Sequence, residues 1–287
     1  MTRAMAADPA AEATAPPRQL DLFDDSPLNQ LLHEVYQALL RWDLAQAAYR
    51  LGRAPDAPGV QRTRELLALA QRFATALAEP QAAARCLHKE LEPALRQDLG
   101  ARAVGLLNSL KTRLARALQL VPFLGQPDEA HAAPLWLELA QPQQAIASIE
   151  QDWLWRECPQ RLSWHAFANE ALLKHAPALL DWGVLAVNFP EAAETALADS
   201  RLLGAAWLRF ADLDTPVPTR WFPLWCVLGE RLGWPADDVP LRDPAARQAW
   251  SGLRRVLATS VTERRSPDFR LWLRSACDPG LQQLWLR

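Results

Sequence analysis

From Pro27 onward, apolar residues return every three or four positions along this chain. Leu28, Leu31, Leu32, Val35, Leu39 and Leu40 share one face, as a helical period of 3.6 residues requires. A second helix is expected at about 43–53, closed by Gly52 and the turn APDAPG. A third, over 60–78, turns Leu66, Leu67, Ala70, Phe73, Ala74 and Leu77 inward. Pro80 sets off a helix over 81–91, and Pro93 a long one over about 94–120, because proline lacks an N–H and clashes with the preceding turn. Shorter helices follow at about 131–140, 142–156, 160–174, 176–187, 190–198 and 200–211. Beyond TPVP at 215–218 come about 219–231, 244–258, 267–276 and a short terminal piece, with Asp-Pro and Ser-Pro pairs as start signals. Valine, isoleucine and threonine are scarce and no stretch alternates with a period of two, so strands are not expected.

Helices of this length joined by short turns bury their apolar stripes by pairing into antiparallel hairpins that stack. The expected fold class is all-α, an α-solenoid of stacked helix hairpins, with an irregular helical bundle as the alternative. Residues 1–18 differ, being alanine, proline and charge without aromatics or periodicity, and they open an arm that runs to residue 25. Such a segment buries too little surface to offset its ordering entropy. It reads as a flexible arm, followed by a helical subdomain over 26–125 and a second, continuous with it, over 126–287.

LLRWDLAQAAYRL (39–51) and LELAQPQQAIASI (137–149) resemble tetratricopeptide (TPR) repeats. Both place an alanine, Ala47 or Ala145, where that family packs a small residue between paired helices. The family's glycine is replaced by Trp42 and Ala140, and no strict 34-residue period survives. What the resemblance implies is a TPR-like helical array, an architecture that hosts many functions.

Composition narrows the function. Half of the 287 residues are hydrophobic and 22% are charged, enough to bury a core. A net charge of −2 argues against a protein that coats nucleic acid indiscriminately. That balance hides an uneven distribution. Residues 128–214 hold 13 acids against five bases, whereas 245–287 hold eight arginines against three acids. Arg254, Arg255, Arg264, Arg265, Arg270 and Arg274 recur there with Trp250 and Trp272 between them. Guanidinium and indole could together track phosphates and stack on bases of DNA. The other reading is a solvated basic face with tryptophans in the core, or arginines stacked on them internally. A second basic interval at 85–116, with seven bases against three acids, takes the same two readings. The thirteen tryptophans, Trp153, Trp155, Trp221 and Trp225 among them, either fill the core or anchor a protein-binding surface.

Chemistry-bearing motifs are absent from the sequence. No phosphate-binding glycine loop and no H-E-x-x-H is present. His33, His88, His131, His165 and His175 are scattered, and Cys86-x-His88 places its two side chains on different helix faces. No metal site, no cofactor and no enzyme activity is therefore expected. Cys86, Cys158, Cys226 and Cys277 lie far apart, a pattern of free thiols in a reducing compartment. The richest apolar run, 176–189, is short and broken by Asp181, so no membrane span is expected. With no signal-like apolar stretch near Met1, the expected location is the cytoplasm.

One motif names a partner. Gln19, Leu20, Asp21, Leu22 and Phe23 form QLDLF on the arm. All five positions resemble the pentapeptide by which bacterial polymerases, mismatch-repair proteins and clamp-loader subunits bind the DNA sliding clamp. The resemblance implies that Gln19 hydrogen-bonds at a small subsite and Leu20 makes an intermediate contact. It makes Asp21 a tolerated spacer, with Leu22 and Phe23 filling the main hydrophobic pocket. Such a string arises by chance about once in a thousand to two thousand chains of this length. The eukaryotic form of the motif wants aromatics where Asp25 and Ser26 stand, which points to a bacterial clamp, and three lysines among 31 basic residues suit a GC-rich bacterial genome. The local alternative is a hydrophobic staple of Leu22 and Phe23 onto the first helix.

The expected function is a non-enzymatic accessory protein of replication or repair that binds the clamp and presents a helical scaffold to a second protein or to DNA. A generic TPR-like scaffold, and a helical enzyme or nuclease subunit with a site assembled from remote residues, are the alternatives.

Overall fold

The structure, a computed structural model, describes residues 27–126, 128–229, 232–235 and 237–285. The protein is all-α, and no strand occurs among the described residues. In chain order the first helices are α1 (Pro27–Leu40), α2 (Leu44–Leu51), α3 (Pro58–Ala76), α4 (Pro80–Cys86), α5 (Glu92–Leu99) and α6 (Ala103–Leu118). There follow α7 (Ala132–Glu138), α8 (Pro142–Glu150), α9 (Pro159–Ala171), α10 (His175–Asn188) and α11 (Pro190–Ala198). The last are α12 (Gly204–Ala211), α13 (Phe222–Leu228), α14 (Pro244–Ala258), α15 (Pro267–Ala276) and α16 (Pro279–Trp285).

Prolines mark most of these starts, since a first-turn residue needs no N–H. Side-chain caps add to them. Asp43 accepts from Gln46 N–H at 2.9 Å, Asp243 from Ala246 N–H at 2.6 Å and Ser266 from Phe269 N–H at 3.2 Å. Each satisfies a first-turn donor that has no intrahelical partner.

The long helix expected over 94–120 is broken. Gly100 takes φ +52° and opens a 3₁₀ turn over Gly100–Arg102 between α5 and α6. A π-helical turn over Leu87–Leu91 likewise joins α4 to α5. The helix expected at 142–156 ends early at Glu150, and a 3₁₀ turn follows at Trp155–Glu157.

Two compact units divide the chain. Among the described residues the first takes 27–74 together with Lys89–Leu106, and the second takes Thr75–His88 and those of 107–285. The division therefore lies inside helices and not at the break expected near residue 125, because proline punctuation marks where helices end and not which ones pack together.

In the first unit α1 packs on α2. Val35, Leu39, Val60, Leu66, Phe73 and Leu95 are buried, and Trp42 meets Phe73 edge to face at 6.0 Å. In the second unit neighbours in sequence pack in turn: α7 on α8, α8 on α9, α9 on α10, α10 on α11, and α13 on α14. Its core centres on Trp182, Leu162, Ile149, Leu185 and Phe222. Trp207, Phe210, Phe222 and Trp225 form a mutual aromatic cluster with centroids 5.3–6.1 Å apart. Gly183 on α10 admits the rings of Trp234 and Trp250; a Cβ there would lie 2.7 Å from Trp234 Nε1 and 3.0 Å from the Trp250 ring.

Three helix corners share one geometry. Trp42, Ala140 and Leu173 all take left-handed conformations, with φ 59°, 54° and 58°. In each, the next residue's N–H reaches back into the preceding helix: Asp43 to Ala38 O, Gln141 to Trp136 O and Lys174 to Asn169 O, at 2.8–2.9 Å. That six-to-one bond is the Schellman closure, normally made around glycine. Five residues past each corner stands a fully buried alanine: Ala47, Ala145 and Ala178. The two alanines singled out from the sequence thus lie where paired helices approach, and Ala178 adds a third.

Candidate functional site

Gln19, Leu20, Asp21, Leu22 and Phe23 lie outside the described residues. The six candidate arginines are all described and fall into two groups. Arg254 is ion-paired with Asp238, and Arg255 lies over the Trp272 ring at 4.6 Å. Arg264 donates to Thr259 O at 3.1 Å and Val256 O at 2.8 Å. Those carbonyls end α14, so this guanidinium works as a C-cap. Arg265, Arg270 and Arg274 are exposed. Arg270 and Arg274 stand one turn apart on α15, with Leu271 beside them 67% exposed. Trp250 is buried, with Nε1 donating to Asp237 O. Arg254 and Arg255 are exposed as well, so five of the six remain at the surface and Arg264 alone is half-buried.

In the second unit, a groove of about 310 Å3 is bounded by the 118–123 segment and by residues of α8 and α9. Arg161, on α9 and 5% exposed, organises one wall. It pairs with Asp152, donates to Phe123 O at 3.0 Å and lies over the Phe123 ring at 4.9 Å. Its Nε has no hydrogen-bond partner. The Leu154 N–H first, and then Arg161, hold the Asp152 carboxyl below its ordinary pKa. His131 completes this wall. Its Nδ1 accepts from Ala133 N–H at 3.0 Å, capping α7, and its ring stacks on Trp164 with centroids 5.2 Å apart. Burial first, and then the charge of Arg161, push its pKa down to about 4. His131 is thus a neutral cap, not a proton donor at neutral pH.

The rim of this groove is apolar and open. Leu120 and Trp153, which line it, are 86% and 84% exposed, and Leu124, next in sequence after the lining segment, is 76% exposed. Glu129 fixes the loop beneath by accepting from Leu124 N–H and Gln126 N–H. Three large apolar side chains held in water on an ordered frame are the usual mark of an interaction surface. Trp153 was legible as an aromatic near a helix end. Its groove was not, because the walls come from segments that only packing brings together.

A polar cluster lies between α9 and α10. His165 Nδ1 is 2.7 Å from Asp181 Oδ2, and Asn169 Nδ2 donates to the same oxygen at 3.1 Å. Trp155 covers the imidazole at 4.2 Å. Nε2 has no hydrogen bond, and Glu150 Oε1 stands 3.4 Å from it. With His165 7% and Asp181 3% exposed, the pair ties two helices together below the surface. The signal in the sequence was Asp181 itself, a lone carboxylate in the most apolar run, and a buried charge needs a partner. One turn along, Glu170 accepts from Trp182 Nε1 at 2.6 Å, from Arg201 N–H at 2.9 Å and from Ser200 Oγ, which pins the 200–203 turn to both helices.

Among the described residues no cluster of His, Cys, Asp or Glu could hold a metal ion, and no helix is long and apolar enough to cross a membrane. Comparison with family models, with curated proteins and with solved structures gave no match for this chain.

Proposed function

We propose that this chain is a non-enzymatic, cytoplasmic accessory protein that docks on the bacterial DNA sliding clamp through QLDLF and holds a helical array at a replication or repair site. The observation that carries the reading is the agreement of all five residues, Gln19 to Phe23, with the clamp-binding pentapeptide, in a stretch preceding the start of α1 at Pro27. Burying Leu22 and Phe23 would contribute roughly 1.5–3 kcal/mol each, and hydrogen bonds from Gln19 and the backbone about 1 kcal/mol apiece. Ordering five residues takes back several kcal/mol, leaving a micromolar, exchangeable contact. A peptide spanning residues 16–28, titrated against a purified bacterial clamp, tests this. Saturable binding lost on Leu22→Ala/Phe23→Ala supports the reading, and no binding at several hundred micromolar removes it.

The exposed groove at Trp153 favours a second reading, a protein-interaction scaffold without a replication link, because aromatic anchors dominate binding hot spots. A DNA contact is a lesser proposal resting on Arg265, Arg270 and Arg274. A salt-sensitive gel shift that their joint substitution by glutamine weakens is its expected result, and an unchanged shift its refutation.

A further inference from the structure

We propose that His165 is a proton-operated latch: a proton taken up at Nε2 draws Glu150 onto the ring and fastens the 151–157 turn, and its loss loosens that turn. The imidazole has a fixed setting. Its Nδ1 stands 2.7 Å from Asp181 Oδ2, and Asn169 Nδ2 donates to the same oxygen. A carboxylate oxygen accepts, so the neutral ring carries its proton on Nδ1. Nε2 is then a bare lone pair, buried and without a hydrogen-bond partner. Glu150 Oε1 faces it from 3.4 Å, one acceptor opposed to another. A proton on Nε2 turns that opposition into a charge-assisted hydrogen bond. Asp181 is buried between helices, whereas the Glu150 side chain is half exposed at the end of α8 and has room to swing.

The elements packed on α9 are α7, α8, α10, α11 and the 155–157 turn. Glu150 of α8 and Asp181 of α10 reach the ring. Arg156 lies over Trp155, which covers the imidazole. Glu138 of α7 is paired with Lys111, and Glu194 of α11 accepts from Thr219. Glu157, His175 and Glu191 are exposed. Two carboxylates therefore act directly on the ring, against one guanidinium that acts across Trp155. The turn that the latch holds follows Glu150 directly. It carries the exposed Trp153 and ends in Trp155, whose ring rests on His165 itself.

Amide hydrogen exchange of the full chain tests this over about pH 5–8, where histidine titrates. With rates corrected for intrinsic exchange, the 151–157 amides should be about tenfold better protected at the acid end. His131, pushed down to about 4, stays largely neutral across that range. Glu150→Gln alters a half-exposed side chain, so the variant should fold, as circular dichroism would check. Its amide can donate to a neutral Nε2, so protection should persist at the alkaline end and the step should vanish. Imidazole nitrogen spectra of the wild type, with His165 assigned by its loss in His165→Gln, should show Nδ1–H at both ends of the range and Nε2–H at the acid end alone. A ring protonated at Nε2 at the alkaline end overturns the proposal. So does a wild type without the step, or a step of equal size in Glu150→Gln.

Discussion

His131 shows how one buried group ties stability to pH. Burial lowers its pKa from 6.5 to about 4, so the unfolded chain binds a proton that the folded chain refuses. Stability from this group is complete above pH 6.5 and is lost as pH falls from 6.5 towards 4, by up to about 3 kcal/mol. His131→Asn keeps a cap acceptor for Ala133 N–H and removes the titration. Urea unfolding of both proteins should then show a stability difference that changes between pH 6.5 and 4 and is flat below; a constant difference contradicts the assignment. The cysteines make a second contrast. Burial, and after it Asp278, push the Cys277 thiol up to about 12, whereas Cys158 is partly exposed. In the native protein a thiol reagent at pH 8 should label Cys158 and spare Cys277 until denaturant is added, since the thiolate is the reactive form. Equal labelling would refute that burial. At Gly183, Gly183→Ala would drive a methyl into Trp234 and Trp250 and should cost about 1–3 kcal/mol.

The helix corners carry strain that the sequence leaves in place. Ala140 and Leu173 are exposed and hold left-handed φ values that glycine adopts freely. Ala140→Gly and Leu173→Gly should each stabilise by about 0.5–1 kcal/mol in chemical denaturation, because relief of the left-handed penalty outweighs the added freedom of the unfolded chain. Trp42→Gly should not, since Trp42 also packs on Phe73. Ala145→Leu has no space to occupy and should lose at least about 1–3 kcal/mol. At this scale the pattern of leucines, prolines and caps was readable: α11, α14 and α15 begin and end where periodicity and Asp-Pro or Ser-Pro pairs place them. The break near Leu173 was expected between helices at 160–174 and 176–187, but its left-handed closure was not, because a leucine fills the position where glycine would announce it. Gly100, within a run of good helix formers, gave no sign that it would take positive φ and divide the long helix.

For the molecule as a whole, the sequence disclosed the segregation of charge but not how the charges are used. Arg254 pairs with Asp238 and Arg255 stacks on Trp272 while both stay exposed, and Arg264 is half-buried against the end of α14. The Trp153 groove and the His165–Asp181 pair arise the same way, from residues apart in sequence that helix pairing makes neighbours. Local periodicity has no means of reporting such meetings. The proposed function rests on the opposite kind of feature, five consecutive residues that need no fold to be legible. The most direct measurement is calorimetric titration of the full chain, wild type and Leu22→Ala/Phe23→Ala, into a purified bacterial sliding clamp. Binding in the micromolar range that disappears in the double variant, with helicity unchanged, is the predicted result. Failure of the wild-type chain to bind at several hundred micromolar, or equal binding by both, would contradict the clamp-docking account.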